Sequence, residues 1–206
     1  MTTIRIVLSA SLLLGCTDLP DHDDPRALEL EEDTCEDLLD NGDFDDGDVV
    51  WKVNRDNIIF TNSEVPQGAT MRADSGTRFA WLGGETSTTR SLAQDVGVPG
   101  SATRLRLRGR YFVAAETETG PVEDTLKIEV ADAATGAVRV TPLVLNNTMA
   151  TVRGDGPFRW TDLDLQIDSS QVAGKRATLR FISTNDGQNN TNFLFDSLTL
   201  RSSTCP

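Results

Sequence analysis

Histidine is almost missing from this chain of 206 residues; the single one, His22, sits in an acidic run near the N-terminus. The remaining sequence cannot assemble a Ser-His-Asp, Cys-His or His-Glu-x-x-His centre. Cations are also short: 19 Lys and Arg face 32 Asp and Glu, for a net charge of −13. No basic footprint for phosphate backbones exists, so nucleic acid is excluded as a partner. Flat aromatic platforms are few, with one tyrosine and three tryptophans. Long amphipathic helical periodicity is lacking, and no apolar run approaches the roughly 20 residues of a membrane span. Paired carboxylates could still serve hydrolysis. Asp162 and Asp164, however, alternate with Leu163 and Leu165 and read as the wet face of a strand. The sequence is that of a non-catalytic protein.

What is present begins with an address. One cation, Arg5, precedes an apolar stretch from Ile6 to Leu14, followed by Gly15 and Cys16. Charge, length and small-residue exit are those of a secretory signal over residues 1–15. The ending Leu13-Leu14-Gly15-Cys16 resembles the bacterial lipobox, which implies that Cys16 is lipidated and becomes the mature N-terminus. Thr17 follows, where the inner-membrane retention signal has Asp, so the expected address is the bacterial outer membrane or cell surface. Residues 16–34 hold eight acids and one arginine, too little apolar surface to offset ordering, and read as an acidic tether. Loss of Arg5 takes the chain to −14; the tether accounts for −7, leaving about −7 on residues 35–206.

With Cys16 lipidated, Cys35 and Cys205 remain at opposite ends of that domain. They form one disulfide or two free thiols; export favours the bridge, which requires the first and last strands to adjoin. The chain-entropy model credits so long a loop with about 4–5 kcal/mol.

Short β-rich runs separated by Gly, Pro, Asn and Asp predict strands at 49–53, 57–61, 79–82, 91–96, 103–114, 125–131, 138–145, 159–167, 177–183 and 192–201. So many short strands mean an all-β sandwich or jelly roll. Alternation assigns faces: Leu105, Leu107, Gly109, Tyr111 and Val113 inward, with Arg104, Arg106, Arg108 and Arg110 outward. Leu126, Ile128 and Val130 point inward, as do Ala177, Leu179 and Phe181. In the last strand Phe193 and Phe195 share one parity, but Leu198 and Leu200 the other. A β-bulge at Asp196-Ser197 reconciles them and re-aims Asp196. The arginine stripe needs either carboxylates across the strand (Glu129, Asp162, Asp164) or an anionic ligand such as an acidic glycan or a phosphorylated head group.

Residues 39–51, LDNGDFDDGDVVW, carry five aspartates within nine positions. An EF-hand fails on spacing. With Asn41, Asp43 and Asp45 as its first ligands, Asp46 falls where glycine is required and Lys52 where the bidentate Glu belongs. On its own terms the stretch is an acidic turn or an unassigned cation site.

The order NGDFDDG…W, SGTRFAWLGG, SLAQDVGVP, RLRLRGRYFV, DTLKIEV, FRWTDLDLQI, AGKRATLRFISTND and TNFLFDSLTL resembles the galactose-binding-domain-like jelly rolls of secreted bacterial proteins, carbohydrate-binding modules among them. The resemblance covers nearly all of residues 35–206. It implies a structural calcium ion held by Asp45 and Asp196, with oxygens from Asp43 and Ser75. Its motifs are poor guides to ligand, because the fold carries many functions; glycan binding is the sharper expectation. Trp51, Trp160 and Tyr111 read as packing residues. Trp81, of opposite parity to Ala80 and Leu82 and followed by Gly83-Gly84, is the candidate ligand-binding residue. The polar loops 85–90, 116–124, 146–155 and 185–192 suit sugar hydroxyls or, as the alternative partner, an envelope protein.

Overall fold

A computed structural model describes residues 36–66, 70–116, 121–150, 152–153 (backbone only) and 158–202. His22, Cys16, Cys35 and Cys205 lie outside these, and with them the signal, lipid, tether and disulfide expectations. The described residues form eleven strands and no α-helix: β1 (Lys52–Val53), β2 (Ile59–Thr61), β3 (Arg78–Gly83), β4 (Thr89–Gly97), β5 (Arg104–Ala115), β6 (Thr125–Asp132), β7 (Val138–Asn146), β8 (Val152–Arg153), β9 (Thr161–Asp168), β10 (Arg176–Thr184) and β11 (Thr191–Ser202). One sheet has the order β1-β4-β10-β6-β7. The other runs β2-β3-β11-β5-β8, with β9 also on β5. Pairing is antiparallel except for the short β5–β8 contact. This is the jelly-roll sandwich that the alternation predicts.

The inward faces meet as expected. Leu105, Leu107 and Val113 of β5, Leu126, Ile128 and Val130 of β6, and Leu179 and Phe181 of β10 are all at most 1% exposed and pack in one cluster. Each such side chain contributes roughly 1.5–3 kcal/mol. Tyr111 is half-buried against it. The first predicted strand is shorter than its apolar run suggested. Val49 and Val50 sit in a turn, 78% and 38% exposed, and only Lys52–Val53 pairs with β4. The preceding Phe44 and Trp51 take the core positions instead, their rings 5.3 Å apart.

A second apolar cluster lies on the outer face of the β2-containing sheet. Phe79, Phe112 and Leu194 are buried there beneath Phe60, Trp81, Phe158 and Trp160. The same face carries the arginines of β5 and, on β11, Asp196.

The bulge is present where parity demanded it. Asp196 opposes Arg110 and Thr199 opposes Arg108, so Ser197 and Leu198 together face Gly109. Ser197 takes φ 53° and Gly109 φ 157°. A Cβ on Gly109 would lie 2.7 Å from Leu198 Cδ2 and 2.9 Å from the Asp196 carbonyl oxygen, so only glycine admits the bulge.

Candidate functional site

The acidic stretch forms a clasp against the bulge. Asn41 and Phe44 adopt left-handed backbone at φ 51° and 60°. The Asn41 side chain ties the loop internally, donating to Gly47 O at 2.8 Å and accepting from Asp46 N–H at 3.1 Å. Trp51 Nε1 donates to Asn41 O at 2.9 Å, and Leu198 N–H donates to Gly42 O at 2.8 Å. Upstream, Leu38 N–H donates to Leu200 O at 2.8 Å, so the first described residues run beside the last strand.

Asp196 is fully buried, and its carboxylate faces the turn at residues 74–77. Oδ2 accepts from Asp74 N–H at 2.6 Å and Ser75 N–H at 3.1 Å; Oδ1 accepts from Ser197 N–H at 2.6 Å. Burial pushes its pKa up to about 6 against these three donors, and the neighbouring Asp74 charge adds to the rise. Asp45 meets the same turn from the other side, its Oδ1 accepting from Thr77 N–H at 2.8 Å. Asp43 Oδ1 accepts only from Asp45 N–H, at 3.3 Å. Ser197 Oγ donates to Asp74 Oδ2 at 2.9 Å and lies 3.1 Å from Ser75 Oγ.

Asp45, Ser75 and Asp196 therefore meet at the turn over residues 74–77, joined by Asp74, a position the motif did not flag, whereas Asp43 is exposed and contacts only Asp45. The donor set is all oxygen, which fits a hard cation; Asp196 is its one buried carboxylate, since Asp43 and Asp45 are exposed and Asp74 pairs with Arg110. The arrangement is nonetheless spread out: among the described residues no three Asp, Glu, His or Cys side chains gather as a metal group.

Trp81 is half-buried, not a free platform. Its ring packs on Phe60 at 4.8 Å and Phe79 at 6.4 Å, and Nε1 donates to Asn192 Oδ1 at 2.8 Å. Gly83 and Gly84 follow at φ 85° and 78°. Side chains there are excluded, since a Cβ on Gly84 would fall 2.7 Å from Asn192 Oδ1 and one on Gly83 2.2 Å from Thr191 O. Asn185, 3% exposed, donates Nδ2 to Thr191 O at 2.9 Å, while its Oδ1 has no partner. Buried Asp124 fixes the next loop by accepting from Asp186 N–H at 2.8 Å and Thr191 Oγ1 at 2.6 Å. The result is an indole edge beside fixed amides on a glycine-walled rim. Asn192 and Asn185 were legible only as loop polarity.

The arginine stripe is largely neutralised within the sheet. Arg106 clamps Asp164 with Nε and Nη2 at 2.7 and 2.5 Å, and holds that carboxyl below its ordinary range. Arg110 pairs with Asp162 and, at 3.5 Å, with Asp74; Arg104 donates to Gln166 at 2.8 Å. Glu129 is not one of the partners. It lies on the other sheet, where Arg180 Nε donates to it at 2.7 Å. Parity fixes a residue's face, but not which sheet that face belongs to.

The described residues contain neither histidine nor cysteine. No protein-family model matches the chain, and no curated protein sequence is similar to it. Solved structures are similar in fold. A family-61 carbohydrate-binding module in complex with β-1,4-galactotriose aligns over 81% of this chain and 99% of its own, at 18% identity and TM-score 0.52. A Stig cyclase from Fischerella sp. TAU aligns over 82% and 98%, at 12% identity and TM-score 0.52. The K3 cleaved adhesin domain of Lys-gingipain from Porphyromonas gingivalis W83 aligns over 81% and 100%, at 16% identity and TM-score 0.50. At these identities the likeness concerns the fold alone: the chain folds as a jelly-roll β-sandwich, as these structures do.

Proposed function

We propose that this chain is a lipid-anchored bacterial envelope protein whose jelly roll is a non-catalytic glycan-binding module. The signal over residues 1–15 is removed, Cys16 carries the lipid, residues 16–34 hold the domain off an anionic surface, and residues 35–206 bind. The observation that carries the glycan reading is the Trp81 rim. A half-buried indole locked to Asn192, beside two glycines whose rim excludes side chains, offers an apolar edge and a fixed amide to a sugar ring. The fold shared with a module in complex with galactotriose supports it. A Cys35–Cys205 bridge is part of the reading, supported by the Leu38–Leu200 bond near both positions. So is a calcium ion at the Asp45–Asp196 corner, with Asp43 and Ser75 supplying oxygens; it would neutralise buried charge and staple the fold, with no step of chemistry.

A glycan array on wild type and Trp81→Ala tests the function. The expected result is a set of sugar signals that fall at least about tenfold in the variant, as loss of a stacked aromatic costs 1–2 kcal/mol. An empty array alongside capture of an envelope protein would move the assignment to the protein-interaction alternative.

A further inference from the structure

A second site lies on the flank of the sandwich beside Trp81, whose backbone N–H donates at 2.7 Å to the carbonyl of Ile58 in the site's wall. β1 and β2 are edge strands of opposite sheets, so residues 54–58 cross the sandwich's open side. A cleft of about 230 Å³ opens there, lined by Arg55, Arg78, Asp48, Glu64, Asn57 and Thr61. Two guanidiniums in one cleft run against the charge of a strongly acidic chain.

Their surroundings are committed. Glu64 accepts from the Thr61 N–H at 2.8 Å and from its hydroxyl at 2.9 Å. Arg78 donates one nitrogen to the Asp45 carbonyl oxygen. The crossing segment is pinned from within by Arg90, 8% exposed, whose Nη1 donates to Asn57 O at 3.1 Å. Arg55 differs: it is exposed and has no hydrogen-bond or ion-pair partner among the described residues. The cleft is thus preorganised around a free guanidinium beside a second one.

The ligand chemistry follows from the mixture. A dianion would be repelled by Asp48 and Glu64. A group with one negative charge and several hydroxyls satisfies both halves, the fork taking the carboxylate while the acids and Asn57 accept hydroxyl protons. The volume suits one monosaccharide-sized group, being below the range of drug-sized pockets. We propose that this cleft binds the carboxylate of a uronic-acid residue in a glycan, with Arg55 as the principal anchor and Arg78 as the second charge. The proposal rests on the glycan reading and gives it a substrate class.

Calorimetric titration of the full chain with trigalacturonate, galactotriose and inorganic phosphate tests it. Trigalacturonate should bind more tightly than galactotriose, and weaken with added salt. Arg55→Ala should weaken trigalacturonate at least about tenfold and leave galactotriose unchanged. Arg55→Lys should recover only part, since a lysine lacks the fork. Trp81→Ala should reduce both sugars. Galactotriose bound as tightly as trigalacturonate, with Arg55→Ala affecting neither, overturns the cleft assignment and leaves the glycan reading standing. Phosphate bound more tightly than trigalacturonate, in an Arg55-dependent way, also overturns it. No binding of either sugar overturns both.

Discussion

Asp196→Ala should melt roughly 6–12 °C below wild type. Three backbone donors, Asp74, Ser75 and Ser197, lose their acceptor together. Each donor is part-buried, and the loss of its acceptor costs about 2 kcal/mol. Against this stands the relief of removing a buried charge. A pKa raised from 3.8 to about 6 corresponds to about 3 kcal/mol at neutral pH. The donors win by about 3 kcal/mol, and a domain of this size shifts about 2–4 °C per kcal/mol. Calcium tests the same corner from the other side. Millimolar calcium should raise the wild-type midpoint and EDTA lower it; a ligand at a hundred times its dissociation constant adds about 2.7 kcal/mol. Asp196→Ala should lose that response. A wild-type midpoint indifferent to both additions would remove the metal, while a variant melting with wild type would remove the clasp.

Gly42→Ala should be as damaging without touching any charge. Its Cβ would stand 1.9 Å from Leu198 O, a backbone atom that cannot turn aside. The loop must lift, breaking the Leu198-to-Gly42 hydrogen bond and drawing Phe44 from a fully buried position. One bond at about 1 kcal/mol and one aromatic at about 2–3 kcal/mol put the loss near 3–4 kcal/mol, on the order of 10 °C. Gly47→Ala is the control. It lies in the same loop at φ 72° with nothing within 4 Å of the added carbon. Only backbone strain remains there, about 1–2 kcal/mol. Equal melting of the two variants would contradict the steric argument.

Alternation was enough to reveal the sandwich, because a strand with one wet face writes its orientation in period two. It was enough even for the bulge, since Phe195 and Leu198 cannot otherwise both face the core. Pairing across sheets was not legible. Arg106 was expected beside acids and finds Asp164, but Glu129 answers to Arg180, because register depends on neighbours that a single strand does not name. The apolar Val49-Val50 pair imitated a strand while serving a turn. The corner around Asp196 was half visible. Asp45 and Asp196 carry the motif, whereas Asp74 joins through a turn between them. The Arg55–Arg78 cleft left no local signal, because Arg55 in the segment crossing from β1 to β2 and Arg78 at the start of β3 meet only on folding.

The reading turns on whether a sugar touches Trp81. The three tryptophans each give one indole N–H signal in a proton–nitrogen correlation spectrum, and each has a distinct partner. Trp51 donates to Asn41 O, Trp160 to Arg72 O and Trp81 to Asn192 Oδ1. Titrating the protein with galactotriose, or with the strongest sugar from the array, should shift the Trp81 signal progressively and leave that of Trp51, buried in the core, in place. Three unmoved indole signals at saturating sugar would contradict the account.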